Sequence, residues 1–354
     1  MKALKHQRGL SLVELLVALT IGGFLIIGAI TMQSQTRRTF TVNEQQARLQ
    51  ETARFVFSVV EPEVQLAGLY GFSNVPDGVS MKIDEDNTAY ASDMRTVKDA
   101  IEGMPEVLDG CGKNYVVDVS QTVTAGDGEW DMDCDAGGGG YLDGTDTLTV
   151  RRTSVDKVDP KAGRIQLYTS RINREQQQLF MDGVAPGPIV DDMSEVRDLI
   201  MKTFYVSPSS DGRPALPSLR LKQITEESGA GKWDDQEVVR GVEDLQIELG
   251  IDPGEDRNGD GEPDDVAGDG MPDYVNGQVA NWVAPGDAAV EAGAQVVAVR
   301  IWVRVRAEEP EAGFVNRRKY KYGNVEFTPN DGYRRVLMSR TVYLRNSRAF
   351  PSSS

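Results

Sequence analysis

The chain has 354 residues, a formal net charge of −17 and a single histidine, His6. With no histidine after residue 6, the rest of the chain cannot build a Ser-His-Asp or Cys-His device or hold zinc through imidazole. So large an excess of carboxylates suits a soluble acidic domain and argues against a nucleic-acid surface, while leaving room for a local basic patch.

Lys2, Lys5 and Arg8 form a basic head closed by Gly9, and residues 10–32 are 23 residues dominated by Ile, Leu, Val, Ala and Phe. As a helix this run spans roughly 35 Å, enough to cross a bilayer. The basic head stays on the cytoplasmic side and the bulk of the chain lies across the membrane. A secretory signal is cut after its apolar core, yet no Ala-x-Ala follows here; the conspicuous junction, Gly9–Leu10, precedes the core. Cleavage there removes residues 1–9 and leaves the helix attached. The remainder then carries −20, which is −17 less the three leader cations. Glu14 becomes the fifth residue. A carboxylate inside a membrane helix costs about 2.5–3.5 kcal/mol at its centre, which marks Glu14 as functional. The new amino group on Leu10 of one subunit can neutralise Glu14 of another within a helical bundle.

The helix is predicted to continue through residues 33–67. Leu49, Ala53, Val56, Val60, Val64 and Ala67 step by three or four, giving one apolar stripe. Pro62 is expected to kink or end it, with Gly68 as a further terminator. Beyond Gly71, a short helix is predicted at 94–101. Strands are predicted at 115–123, 145–153, 163–169, 201–206, 219–224, 242–251, 295–306 and 336–344. The clearest is 295–306, with Val297, Val299, Ile301, Val303 and Val305 on one face and Arg300, Arg304 and Arg306 on the other. That period of two indicates a half-buried antiparallel strand whose arginines form a solvated, ion-paired face. Residues 127–144, with Gly137–Gly140 in a row, lack a Walker pattern and read as a flexible loop.

The only cysteines, Cys111 and Cys134, are expected to form a structural disulfide. They lack Cys-x-x-Cys spacing, and acidic neighbours blunt thiol reactivity. One segment has metal-like spacing: Asp256, Asn258, Asp260, Glu262 and Asp264 alternate around a glycine turn, and the Asp-Gly-x-Pro-Asp string at 260–264 recurs at 269–273. Calcium takes six to eight oxygens from such loops. The expected ligands are the five above with Asp269 and Asp273. Ala267 stands where an EF-hand has its bidentate Glu.

The string from Gly9 to Leu19, GLSLVELLVAL, resembles the class III prepilin signature of type IV pilins and type II secretion pseudopilins. In that family a membrane peptidase cuts after the glycine and methylates the new terminus, which implies processing at Gly9 and methylation of Leu10. Leu10 replaces the family's usual Phe, and the apolar helix has glycines at 22, 23 and 28 where major pilins tend to have a proline. The strings at 48–55, 65–71, 241–252, 296–300 and 340–346 are similar to those of PilW-type minor pilins. The resemblance implies an α+β, pilin-like fold: leader 1–9, filament-core helix 10–32, amphipathic helix 33–67, and a β-rich head 68–354 with an acidic loop at 252–275. It also implies a non-enzymatic subunit held in the inner membrane, head in the periplasm, before entering a surface pilus. There it meets major and minor pilins and primes assembly near the tip, in support of twitching, adhesion or DNA uptake. The J-type minor pseudopilin and a calcium-dependent adhesive head on a pilin stem are the other readings.

Overall fold

The computed structural model describes residues 11–73, 79–82, 88–90, 111, 115–119, 121–172, 177–224, 233–260, 262–265, 275–291 and 294–346. It divides into two compact units, Met1–Arg48 and Leu49–Ser354. Helix α1, Leu12–Leu66, runs through both.

In the first unit, α1 exposes its apolar side chains; Leu12, Phe24 and Met32 each keep more than 70 % of their surface. It is the one helix among the described residues that is long and apolar enough to cross a membrane. Its few polar side chains satisfy themselves: Thr20 donates to the Val17 carbonyl (2.9 Å) and Thr31 to that of Ile27 (2.7 Å). Such back-bonding is what a hydroxyl needs where water is absent.

In the second unit the predicted stripe is the buried face. Leu49, Ala53, Val56, Val60, Val64 and Ala67 enter the main core, together with Phe57. The helix does not end at Pro62 but continues to Leu66. Packing of Val60 and Val64 on either side outweighs the lost backbone donor. The end comes at Gly68, with φ +75°, where a left-handed residue costs glycine nothing. The last turn tightens, Ala67 N–H reaching the Val64 carbonyl (3.2 Å), while Gly68 N–H donates to the Arg151 carbonyl (3.0 Å).

The head holds strands β1 (Ser80–Lys82), β2 (Thr88–Tyr90), β3 (Val123–Gly126), β4 (Thr147–Thr153), β5 (Gln166–Ser170), β6 (Gln178–Phe180), β7 (Ser194–Ser207), β8 (Ser218–Ile224), β9 (Trp233–Arg240), β10 (Val242–Asp252) and β11 (Asn281–Val283). After a short helix, α2 (Ala288–Glu291), come β12 (Gln295–Arg306), β13 (Tyr320–Tyr322), β14 (Val325–Phe327) and β15 (Arg335–Tyr343). One sheet has the order β2-β1-β6-β5-β7-β4-β3, with β8 on β7 and β9 on β8. The long β7 pairs β5 through Ser194–Asp198 and β4 through Leu199–Phe204. A second sheet has the order β11-β10-β12-β15, and β13–β14 is a separate hairpin. Apart from the parallel pair β1–β6, the described pairings are antiparallel. The alternating valines and Ile301 of β12 join the α1 stripe in the core, as the period of two requires.

Three expectations need correction. Residues 115–119 are turns, and the strand starts only at Val123. Val116, Val117 and Val119 are buried together rather than alternately, and buried Arg151 ties the segment down by donating to the Tyr115 and Gln121 carbonyls (2.8 and 2.9 Å). Arg304 is not on a solvated face: it is buried beneath β13–β14, over the Phe327 ring at 3.9 Å. The 127–144 loop is packed, not loose. Tyr205 donates to the Gly137 carbonyl (3.1 Å) and Ser207 to that of Gly138 (3.0 Å). A Cβ on Gly137 would meet the Asp235 carboxylate, and one on Gly138 the Arg220 guanidinium. The predicted 94–101 helix lies outside the described residues.

Candidate functional sites

Gly9 and Leu10 precede the described residues. Glu14 lies in the first turn of α1, exposed like Ser11. The two cap the helix reciprocally: Ser11 N–H donates to Glu14 Oε2 (3.0 Å) and Glu14 N–H donates to Ser11 Oγ (3.2 Å). This is a capping box, in which two of the helix's unpaired amide donors are satisfied by side chains three residues apart. Glu14 therefore has a partner within its own chain in a single subunit. Exchanging it for a neighbour's ammonium costs a cap worth about 1 kcal/mol.

At the other end of α1, Glu63 ties the helix to the sheet through two ion pairs. Its carboxylate accepts from Arg152 Nε of β4 (2.8 Å) and Lys202 Nζ of β7 (2.7 Å), and all three side chains are largely buried. Burial by itself would raise the Glu63 pKa, but the hydrogen bonds and charges of Arg152 and Lys202 outweigh it and hold the carboxyl below its ordinary value. The final carbonyls of the helix are capped from the far end of the chain. Asn346 Nδ2 donates to Ala67 O (3.2 Å) and Leu66 O (3.4 Å), and Arg345 N–H to Gln65 O (3.4 Å). Sequence reading missed both devices. Glu63 was detectable in principle, because it falls three residues after Val60 and seven after Val56, on the apolar face. Asn346 had no local signal.

Cys111 and Cys134 form the expected disulfide. In the acidic loop, Asp256 Oδ1 accepts Gly259 N–H (2.6 Å), Asn258 Oδ1 accepts Asp260 N–H (2.8 Å) and Asp260 Oδ1 accepts Glu262 N–H (2.9 Å). Buried Asp264 turns inward and accepts Arg257 N–H (2.7 Å). The loop is thus a chain of side-chain-capped turns. Among the described residues, no group of three or more Asp, Glu, Cys or His side chains is arranged to hold a metal ion. Asp269 and Asp273 lie outside the described residues.

Two further buried carboxylates were not anticipated. Asp146 accepts Ile247 N–H (2.7 Å) and Gly128 N–H (3.0 Å), joining the two sheets. Burial, opposed by those amides and assisted by Asp127 and Asp244, pushes its pKa up to about 7. Asp244 pairs with Arg304 Nη1 (3.0 Å) and accepts from Tyr322. Glu243 accepts from Arg304 Nε (2.7 Å) and Arg335 Nε. This polar layer clips the β13–β14 hairpin onto the second sheet. None of these groups forms a nucleophile–base pair; they fasten elements together.

The family model described as Type IV Pilus-assembly protein W matches residues 203–346, from β7 to the asparagine that caps α1. A second, the prokaryotic N-terminal methylation motif, matches residues 4–30. Together the two matches support a PilW-type pilin. Comparisons with curated proteins and with solved structures find no match. The two family matches point to a structural component associated with a type IV pilus, and such membership implies interaction with other pilus components and with the prepilin peptidase. An apolar N-terminal helix bearing a class III signal suits membrane anchoring before assembly.

Proposed function

We propose that this pilin is a minor subunit that primes pilus assembly near the tip, supporting motility, adhesion or DNA uptake. The observation that carries the reading is the size of the second unit. Leu49–Ser354, with two sheets and a hairpin, is bulky for a head repeated in every layer of a thin filament. In this reading the peptidase cuts at Gly9, Leu10 is methylated, the head waits in the periplasm, and Glu14 leaves its cap to meet a neighbour's amino terminus.

Sheared pili quantified by mass spectrometry provide the test. The expected result is a small number of copies per filament, each beginning at methylated Leu10. Abundance matching that of a major subunit would overturn the minor role, and retention of residues 1–9 would overturn the processing. Glu14→Gln separates assembly from capping, because glutamine preserves the capping hydrogen bond and removes the charge. We expect Glu14→Gln to insert in the membrane yet be missing from sheared pili. Ser11→Ala, which keeps the charge, should be incorporated. Normal recovery of Glu14→Gln in pili would refute the charge role.

A further inference from the structure

We propose that the two ends of the second sheet are complementary charged surfaces through which one copy of this chain docks head to tail on the next. The inference uses the placement among pilus components and does not depend on the minor or tip role.

Strands β10 and β12 pair from Val242–Val305 at one end to Asp252–Gln295 at the other. The acidic loop leaves from the Asp252 end. Glu255, Asp256, Asp260, Glu262 and Asp265 are all exposed there, and residues 252–265 carry seven carboxylates against one arginine. The turns fix Asp256 and Asp260 through backbone amides, which leaves their charge in place, while Glu255 pairs with Arg257. The same end of the sheet receives the C-terminus of α1, since Leu344 N–H bonds the Val297 carbonyl and Arg345 N–H that of Gln65.

The opposite end is covered by residues 315–321, which carry four cations and no acid. Arg317, Arg318, Lys319 and Lys321 are exposed, and Val315 adds an apolar contact at 51 % exposure. Of the four, Lys319 pairs with Glu326. This loop is held rigid. Buried Asn316 donates from its backbone to the Asp331 carbonyl (2.7 Å) and from Nδ2 to the Tyr333 carbonyl (3.1 Å), while its Oδ1 accepts Arg318 N–H (3.1 Å). Tyr322 and Phe327 anchor the hairpin over Arg304. From Arg304 to Gln295 is nine strand steps, so the two charged ends lie roughly 30 Å apart.

Opposite charges at opposite ends of one rigid body favour a heterologous contact, the acidic end of one copy on the basic end of another, over a two-fold one; the few copies expected per filament are enough to make it. A nucleic acid is the weaker candidate for the basic loop. Its few cations, one already paired, offer a short footprint beside the exposed acids Glu308, Glu309 and Glu326, whereas a strand backbone is tracked by an extended positive groove.

The test uses the full chain in detergent without divalent ions, measured by sedimentation at 50 and 500 mM NaCl. The wild type should self-associate at low salt, its Kd rising about tenfold or more at high salt. The triple change Arg317→Glu, Arg318→Glu, Lys321→Glu leaves both ends acidic; Asp256→Lys, Asp260→Lys, Glu262→Lys leaves both ends basic. Each variant alone should lose the salt-sensitive association, and an equimolar mixture of the two should regain it. The mixture also shows that neither loss comes from misfolding. A monomeric wild type at 50 mM NaCl, association that survives both reversals, or a mixture that stays monomeric would overturn the proposal. A monomeric wild type that instead retains labelled duplex DNA through the basic loop would overturn it in favour of a nucleic-acid surface.

Discussion

Replacing Glu63 with glutamine tests how α1 is fastened to the head. The change keeps the shape and leaves Arg152 and Lys202 facing a neutral amide. Breaking a fully buried pair costs about 3–5 kcal/mol. Here the side chains of Arg152, Glu63 and Lys202 keep 9, 14 and 21 % exposure, and glutamine can still accept one hydrogen bond. We therefore expect about 2–3 kcal/mol, a fall in Tm of roughly 3–5 °C for a domain of this size. The pH dependence has a definite sign. Glu63 is held below its unfolded value, so its contribution is complete above the unfolded pKa of about 4.3 and fades as pH falls through the folded one. Thermal unfolding of the full chain in detergent, followed by circular dichroism, should show the large difference at pH 7 and a much smaller one near pH 3. A Tm difference below about 1 °C at pH 7 would refute the reasoning.

The other predictions concern the head. Asp146 has a raised pKa in the folded state, so between about pH 4 and 7 the native state binds the extra proton and stability falls as pH rises, by at most about 1.4 kcal/mol per pH unit. Tm should be higher at pH 5 than at pH 7.5, and Asp146→Asn should shrink that difference while lowering Tm at both, because its NH2 would face a backbone N–H. An unchanged difference in the variant would assign the pH dependence elsewhere. Gly138→Ala should cost about 1–3 kcal/mol, since φ is +60° and its methyl would displace Arg220 from Asp235; an unaltered melting curve would show that the 127–144 loop is loosely held. Calcium, proposed for the 252–275 loop, should raise Tm at millimolar concentration and a chelator should reverse it. Identical curves in both would dispose of that site.

Local pattern was enough for the parts of the fold that depend on nearest neighbours. The period of three to four from Leu49 to Ala67 and the period of two along β12 describe faces, and the faces they describe are the buried ones. Pro62 does not end the helix because a proline's cost is local and fixed, whereas the burial that outweighs it is contributed by strands far along the chain. The edge hairpins and β9 escaped for a similar reason. Trp233–Arg240 carries three acids in eight residues, and it is a strand because β8 offers it a ladder and Arg220 a partner for Asp235. At the candidate sites, Glu14 was legible because a charge in an apolar run is conspicuous by itself. Asp146 and Arg304 were not, and Glu63 showed only its place on the apolar face and not its partners, because each is defined by a partner more than 50 residues away.

The clasp between Asn346 and the end of α1 sets an order of events. The stem is synthesised before the head, yet its seat is finished by β15 and by the asparagine that follows it, 279 and 280 residues after the carbonyls it caps. Until those residues arrive, the carbonyls at 65–67 lack their donors and β12 lacks a neighbour on one side. A chain stopped short of Asn346 is therefore left with an uncapped rod end and an open sheet edge, and only one translated past that residue can close its head.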